Sequence, residues 1–267
     1  MAPKIPQPSD FSKFPSIQLH PPSPPESTTT FLIVLHGLGD NPVSFSAFPK
    51  SLNLPGVYAI TVRGVSPLPP SLLPEPAPEY GCFHWGDDLT LDSGTGELDS
   101  DPGFEKARGV LLEELIQGVI VGELGWGVGD VIVFGYGQGG GVALGLGSEV
   151  RRLEGGRVGE VVEGEEGEGE KRGKGELKGV VSVGGGLPGS MIPSLSKREK
   201  VGSPVLVMCG EGSEVVDEDA EERLREEFER VKIVRWGGRR RGDDGMPRTR
   251  EEVLPLMEFF AERLREF

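Results

Sequence analysis

The sequence predicts an α/β domain with a mostly parallel central β-sheet and helices on both faces. Continuous apolar runs rich in β-branched residues recur along the chain, and such runs are typical of strands buried on both faces of a parallel sheet. Segments with helical periodicity alternate with these runs, which is the order that parallel strands and crossover helices require. The length of 267 residues suits one large α/β domain or two small ones.

Each element is assigned from its apolar period and its end signals. The strands are expected at 31–35, 57–62, 179–183, 204–209 and 231–236, with another at the start of 131–140 and a short edge strand at 17–20. The helices are expected at 41–50, 103–121, from 140 to about 152, at 217–230 and after 249. Thr249 and Glu252 form a capping box for the last helix, while Pro255 should kink it or delay its start.

The stretch 131–140, Val-Ile-Val-Phe-Gly-Tyr-Gly-Gln-Gly-Gly, is a strand that ends abruptly in glycines before a helix. This order is that of the nucleophile elbow of α/β-hydrolases, whose motif is G-x-S-x-G. Gly135 and Gly139 occupy the outer positions of the motif, but Gly137 occupies the central position, where the nucleophilic serine should be. The sequence therefore predicts an α/β-hydrolase fold whose elbow has no attacking oxygen.

A second loop of the same fold is predicted at His36-Gly-Leu-Gly-Asp40, directly after the strand at 31–35. In an α/β-hydrolase this loop supplies half of the oxyanion hole, and the residue after the nucleophile supplies the other half. The backbone N–H groups of Leu38 and Gln138 are therefore the candidate oxyanion donors, and His36 is expected to be structural. The long loop from 66 to 102 contains His84 and Trp85, which we expect to pack over the mouth of the pocket.

With these motifs placed, the chain resembles the phospholipase/carboxylesterase family of α/β-hydrolases, whose members include acyl-protein thioesterases. The resemblance covers most of 31–267: the HGLGD loop, the elbow, the strand that ends in Leu187-Pro188, and Gly245-Met246 before the last helix. It implies a carboxylic-ester or thioester hydrolase without a cofactor. The proline-rich composition and the elbow sequence resemble a divergent fungal branch.

The resemblance also assigns the positions of the catalytic triad, and these positions carry other residues. The nucleophile position is Gly137, the acid position is Ser213 with Glu214 beside it as a possible substitute, and the histidine position is Pro247 or a neighbour. No histidine follows His84 in the chain. A Ser-His-Asp relay needs a base that accepts the proton of the nucleophile and an acid that orients that base. The sequence therefore predicts a degraded triad with no intact catalytic residue.

Other residues offer little to rebuild the chemistry. Cys82 and His84 share one loop, but their i, i+2 spacing points the two side chains apart in extended backbone. Cys209 ends an apolar run and is expected to be a buried thiol. Three scattered histidines have no metal-ligand spacing, so no metal is expected. Arg239-Arg240-Arg241, followed by Asp243-Asp244, is interpreted as a solvated loop rather than an anion site.

The expected organisation is a Pro-rich segment at 1–30 followed by a single α/β-hydrolase domain at 31–267. Residues 154–178 are almost entirely Gly, Glu, Lys and Arg, so they are expected to form a disordered insertion. The net charge of −15 disfavours nucleic acid as a partner. The N-terminus has no apolar signal region and no run approaches a membrane span of about 20 residues, so a cytoplasmic protein is expected.

Three functional hypotheses follow. The first is a non-catalytic α/β-hydrolase-fold protein that binds an acyl chain, an ester or a lipid-modified protein partner through the inherited pocket. The second is an active ester or thioester hydrolase with a relocated catalytic set built on His84 and on Cys82 or Glu214. The third is an interaction protein whose acidic insertion binds a partner.

Overall fold

The computed structural model describes residues 3–89, 98–151, 175–194 and 199–265. Its strands are β1 (Gln18–His20), β2 (Thr30–Leu35), β3 (Val57–Val62), β4 (Ser66–Pro67), β5 (Phe83–His84), β6 (Val131–Tyr136), β7 (Gly179–Val183), β8 (Val205–Gly210) and β9 (Val231–Trp236). Its helices are α1 (Pro42–Phe45), α2 (Ala47–Leu52), α3 (Glu105–Arg108, continued by a π-helix over Gly109–Glu123), α4 (Gln138–Glu149), α5 (Glu218–Glu227) and α6 (Arg250–Leu264). Short 3-10 turns lie at Pro8–Phe11, Pro25–Ser27, Pro70–Leu72, Val128–Asp130 and Gly189–Met191.

The central sheet has seven strands in the order β1-β3-β2-β6-β7-β8-β9. Only β1 is antiparallel to its neighbour, β3, and the other five pairs are parallel. A separate two-stranded ribbon is formed by β4 and β5. The mostly parallel sheet that the sequence predicts is confirmed, and the elbow between β6 and α4 lies at the carboxyl end of a central strand, where loops of an α/β sheet build ligand sites.

Helices cover both faces of the sheet, which explains why its strands are continuous apolar runs. On β2, Phe31, Ile33 and Leu35 belong to one buried cluster, and Leu32 and Val34 belong to the other. Helices α3, α4 and α5 pack in the first cluster, and α1, α2 and α6 pack in the second. Because successive side chains of a strand point to opposite faces, a strand covered on both sides needs apolar residues at every position.

Three helices differ from the sequence prediction. The helix expected at 103–121 is α-helical only over Glu105–Arg108 and continues as a π-helix over Gly109–Glu123. The expected helix at 41–50 is divided at Ser46 into α1 and α2, and the Asn41 side chain caps α1 by accepting from the Ser44 N–H at 2.9 Å. Pro255 lies inside α6 but does not delay its start, because the Thr249 capping box sets the beginning of the helix at Arg250.

Of the predicted insertion at 154–178, residues 154–174 lie outside the described part of the chain. At its end, Leu177 is buried, and its N–H donates to Ser203 Oγ at 2.9 Å. This end of the segment is therefore part of the core. Within the described ranges, no helix combines the length and the apolar character needed to cross a membrane.

Candidate functional site

The elbow is a one-residue turn at Gly137, between the last residue of β6 and the first residue of α4. Gly137 has φ of 53° and ψ of −121°, and its N–H donates to the Val183 carbonyl at 2.8 Å. A Cβ atom at Gly135 would lie 1.9 Å from the Gly139 carbonyl oxygen, so this position admits glycine alone. At Gly137 the nearest atom to an added Cβ would be Gly37 Cα at 3.9 Å. The turn thus has the tight geometry of a nucleophile elbow and leaves space for a side chain at its tip.

The loop 36–40 lies directly against this turn. A Cβ atom at Gly139 would lie 2.5 Å from the His36 carbonyl oxygen, which shows how closely the two backbones approach. Leu38 is exposed on the loop, and neither its N–H nor that of Gln138 donates to an acceptor in the described part of the chain. Two backbone donors therefore remain available beside Gly137.

The ring of His36 holds this loop in place. Its Nδ1 donates to the Gly37 carbonyl at 2.7 Å, and its Nε2 accepts from the Gly64 N–H at 2.9 Å, which fixes the tautomer. Burial lowers the pKa of His36. The hydrogen bond to Gly37 and the charge of Asp40 raise this pKa, but their combined effect is smaller than that of burial. A neutral ring with both nitrogens occupied is part of the scaffold.

Trp85 and Gln138 join the long loop to the elbow. The Trp85 N–H donates to Gln138 Oε1 at 2.8 Å, and its indole Nε1 donates to the His36 carbonyl at 2.8 Å. Trp85 is fully buried and its ring lies against that of His36, with centroids 5.2 Å apart. Trp85 therefore joins the long loop to Gln138 and to the loop at 36–40 from a buried position.

His84 is buried on β5, and its Nδ1 has no hydrogen-bond partner among the residues that the structure describes. Burial lowers the pKa of His84, the charge of Lys106 lowers it further, and the charge of Asp88 opposes both. Cys82 is buried as well, and no hydrogen bond links it to His84 within the described residues. Burial raises the pKa of Cys209 to about 11, against an opposing effect of the Arg235 charge, so this thiol is protonated at neutral pH.

The loop after β8 brings Ser213 next to a carboxylate that we did not predict. Ser213 Oγ donates to Asp244 Oδ2 at 2.7 Å and accepts from the Val216 N–H at 3.1 Å. The Gly210 N–H donates to Asp244 Oδ1 at 2.8 Å. Glu214 is exposed. Asp244, from the loop between β9 and α6, thus places its carboxylate at hydrogen-bonding distance from the Ser213 side chain.

Asp244 also lies close to the elbow. A Cβ atom at Gly184 would lie 2.6 Å from the Asp244 carbonyl oxygen, and one at Gly185 would lie 2.4 Å from the Gly137 carbonyl oxygen. Because Gly184 and Gly185 are consecutive, Gly137 and the Asp244 that binds Ser213 both approach the turn at the carboxyl end of β7.

The loop that carries Asp244 and Pro247 is held by Arg239. The Arg239 guanidinium donates to the Gly245 carbonyl at 3.0 Å, to the Met246 carbonyl at 2.9 Å and, through Nε, to Glu252 Oε1 at 2.7 Å. Its side chain is only 7% exposed. The interpretation of the arginine cluster as a solvated loop is therefore wrong for Arg239, because the backbone carbonyls and Glu252 bind its charge inside the fold.

The described part of the chain contains no group of three or more His, Cys, Asp and Glu side chains placed to hold a metal ion. The polar groups described near the elbow are the backbone N–H groups of Leu38 and Gln138, the Ser213 hydroxyl and the Asp244 carboxylate. Gly137, at the tip of the elbow, contributes no side chain.

A sequence model of the family described as phospholipase/carboxylesterase matches residues 21–159, just over half of the chain. The chain belongs to the phospholipase/carboxylesterase family. An uncharacterized hydrolase of Schizosaccharomyces pombe is 35% identical over 115 residues, which are 42% of this chain and 44% of that protein. The match therefore spans less than half of this relative.

Solved structures share the fold of this family member at low sequence identity. Zea mays acyl-protein thioesterase 2 has a TM-score of 0.59 and 20% identity, with 93% of this chain and 98% of that chain covered. Esterase PE8 has a TM-score of 0.61 and 18% identity, with coverages of 92% and 98%. The Bacillus cereus carboxylesterase has a TM-score of 0.57 and 15% identity, with coverages of 96% and 98%. These likenesses show the α/β-hydrolase fold.

Asp244 and Arg239 are the residues of this family member's site that sequence reasoning missed. The pair Asp243-Asp244 closely follows three arginines, a pattern that is typical of a solvated loop. The sequence does contain one signal for Asp244. This residue lies two positions before Met246, in the segment that the resemblance assigns to the catalytic histidine.

Proposed function

We propose that this chain is a phospholipase/carboxylesterase family protein that binds an acyl, ester or lipid-modified protein ligand and has lost the Ser-His-Asp relay. The observation that carries this proposal is Gly137. The turn around it has kept the elbow's backbone geometry and has room for a side chain, yet its tip has no nucleophilic atom. No covalent acyl intermediate can form at this position.

The base of the relay is missing as well. Of the three histidines, His36 uses both ring nitrogens in the scaffold, and His84 is buried on strand β5. His20 lies on the edge strand β1, and Pro247 occupies the position that the resemblance assigns to the catalytic histidine. Without a base near the elbow, a hydroxyl placed there would keep its proton and stay a weak nucleophile.

Binding survives the loss of these side chains because its donors are backbone groups. The N–H groups of Leu38 and Gln138 flank Gly137 and are free to bind the carbonyl oxygen of an acyl group. In serine hydrolases that lack the triad, such donors and binding alone keep only about 10³–10⁴-fold acceleration over water. The site therefore favours a carbonyl ligand without useful turnover.

The alternative, an active hydrolase with a relocated catalytic set, has weaker support. The buried Cys82 and His84 do not form a pair, and the exposed Glu214 has no histidine to orient. Ser213 donates to Asp244, but a carboxylate is a poor base for a serine hydroxyl at neutral pH. Labelling of the wild-type protein by a fluorophosphonate probe, at any mapped residue, would favour this alternative.

Turnover of p-nitrophenyl octanoate and of an S-palmitoyl peptide tests the loss of chemistry. We expect the wild-type protein and Gly137→Ser to exceed the buffer rate by no more than about 10⁴-fold, because the variant gains a hydroxyl but no base. Zea mays acyl-protein thioesterase 2 is the positive control for the assay. Turnover by the wild-type protein that matches the positive control and co-purifies with the folded chain would contradict the proposal.

Retained binding is tested with a non-hydrolysable S-hexadecyl-cysteine peptide by isothermal titration calorimetry. Leu38→Pro removes one proposed donor, whereas Leu38→Ala removes the side chain and keeps the N–H. We expect Leu38→Pro to weaken binding by about tenfold relative to Leu38→Ala, as the loss of one hydrogen bond predicts. Equal affinities would exclude the Leu38 N–H as a ligand donor, and absence of wild-type binding would exclude the acyl ligand.

A further inference from the structure

We infer that Arg63 binds an oxyanion, a carboxylate or a phosphate, at the polar end of the ligand, and this inference rests on the acyl-binding site proposed above. Arg63 directly follows β3, which pairs with β2 on the side away from β6. Val62 and Gly135 both pair with Leu35, so Arg63 and the elbow lie at the same end of the sheet. Since neighbouring strands are about 4.8 Å apart, the backbones of Arg63 and of the elbow are separated by roughly 10 Å.

The neighbours of Arg63 bind both ends of the HGLGD loop. The Gly64 N–H donates to His36 Nε2 at 2.9 Å, and the Phe83 N–H donates to the Asp40 carbonyl at 3.0 Å. His36 and Asp40 are the first and the last residue of the loop. Arg63 therefore lies beside the backbone donor that the proposed function assigns to this loop.

An aromatic ring holds the side chain of Arg63. Its guanidinium lies over the ring of Phe83, with Cζ 4.9 Å from the ring centroid. A Cβ atom at Gly64 would lie 3.0 Å from Phe83 Cβ, which shows how closely the two segments pack. A planar guanidinium that stacks on a ring is already oriented and loses less freedom when it binds a ligand.

The charge of Arg63 has no counter-charge in the described part of the chain. Its Nε is buried without a hydrogen bond, and its two terminal nitrogens bind no described residue and are not among the buried atoms. By contrast, Glu252 binds the charge of Arg239, and Glu221 binds that of Arg235. A partly buried cation loses hydration that an anion would offset, so Arg63 has a binding capacity that the fold itself does not use.

The chemistry of this side chain selects an oxyanion. The chain has 43 acidic residues against 28 basic ones, yet none of the described carboxylates neutralises Arg63. The terminal N–H groups of a guanidinium form a fork that matches two oxygens of a carboxylate or a phosphate. Only β2 lies between β3 and β6, so one ligand can span the two groups. A ligand that fits both is an acyl conjugate whose other end carries the anion.

Isothermal titration calorimetry with two matched ligands tests the anion preference. N-octanoylglycine and N-octanoylglycinamide share the acyl chain and the carbonyl, are stable amides, and differ only in the carboxylate. We expect the wild-type protein to bind N-octanoylglycine about tenfold more tightly, as the gain of one charge-assisted hydrogen bond predicts. This preference should shrink as the salt concentration rises, because Arg63 is partly exposed.

Three variants assign the preference to a residue. Arg63→Gln removes the charge, Arg63→Lys keeps the charge without the fork, and Arg223→Gln removes an exposed charge on α5 that forms no ion pair with described residues. We expect Arg63→Gln to bind the two ligands equally, Arg63→Lys to keep part of the preference, and Arg223→Gln to match the wild type. A change in the fold would lower both affinities together, whereas the loss of the anion site changes their ratio.

Several results would overturn the inference. Equal wild-type affinities for the two ligands would exclude it and leave the acyl-binding proposal intact. Absence of binding by both ligands would exclude the acyl ligand itself, and the role of Arg63 with it. A preference that survives in Arg63→Gln would assign the anion to another cation. Inorganic phosphate that binds as tightly as N-octanoylglycine would make Arg63 a site for free anions and not for the end of an acyl ligand.

Discussion

Gly135→Ala is expected to prevent stable folding, with a loss of more than about 4 kcal/mol in the free energy of unfolding. The added Cβ would lie 1.9 Å from the oxygen and 2.3 Å from the carbon of the Gly139 carbonyl, and 2.6 Å from the Gly140 nitrogen. All three atoms are backbone, so no side-chain rotation relieves the contact. Urea unfolding followed by circular dichroism measures the loss, and failure to obtain folded protein is its extreme form.

Gly137→Ala is the matched control, because it adds the same atom two residues away in the same turn. Its Cβ would meet only Gly37 Cα at 3.9 Å, so the expected cost is the strain of positive φ in a residue with a side chain, about 1–2 kcal/mol. Comparable losses for the two variants would contradict the steric account. If the difference holds, the fold demands glycine at 135 but not at 137. The absence of serine at the tip of the elbow then has no structural cause, which is what relaxed demand for chemistry implies.

The sequence predicts the sheet well because burial on both faces leaves a continuous apolar signal. The bounds of β3, β7 and β9 agree with the predicted strands, and each of these strands is flanked by glycine or polar residues. The helix at 41–50 is less predictable, because its division at Ser46 depends on how Phe45 and Phe48 pack on the second face of the sheet. Local periodicity does not contain that contact.

The elbow and the loop at 36–40 are predictable because backbone geometry dictates their glycines. Asp244 and Arg239 are not, since each acts through partners distant in sequence or through backbone carbonyls. Asp244 binds Ser213 and Gly210, more than 30 residues earlier in the chain. A pattern of residue types predicts which elements form, but pairs such as these arise only when two loops meet at the same end of the sheet.

Glu252→Gln is expected to destabilise the fold by about 2 kcal/mol at pH 7, because it removes the closer of the two carboxylates that bind Arg239 and leaves only Asp243, at 3.6 Å. The hydrogen bond from Arg239 is the largest cause that lowers the pKa of Glu252, from 4.5 to about 2. A carboxyl whose pKa is depressed in the folded state stabilises that state above pH 4.5 and loses this effect as the pH falls toward 2. The difference between wild type and variant in urea unfolding should therefore shrink between pH 4.5 and pH 2.

Glu251→Gln is the control, because Glu251 is the exposed neighbour on the same first turn of α6 and forms no ion pair with described residues. A similar loss for both variants, or a loss for Glu252→Gln that does not change with pH, would contradict the assignment. The expected contrast also bears on the site. Arg239 ties Glu252 to the carbonyls of Gly245 and Met246, so its charge is balanced in the loop that carries Asp244 and Pro247. A loop held in this way keeps its shape without a histidine at position 247, which supports the proposal of a ligand-binding protein that does not catalyse hydrolysis.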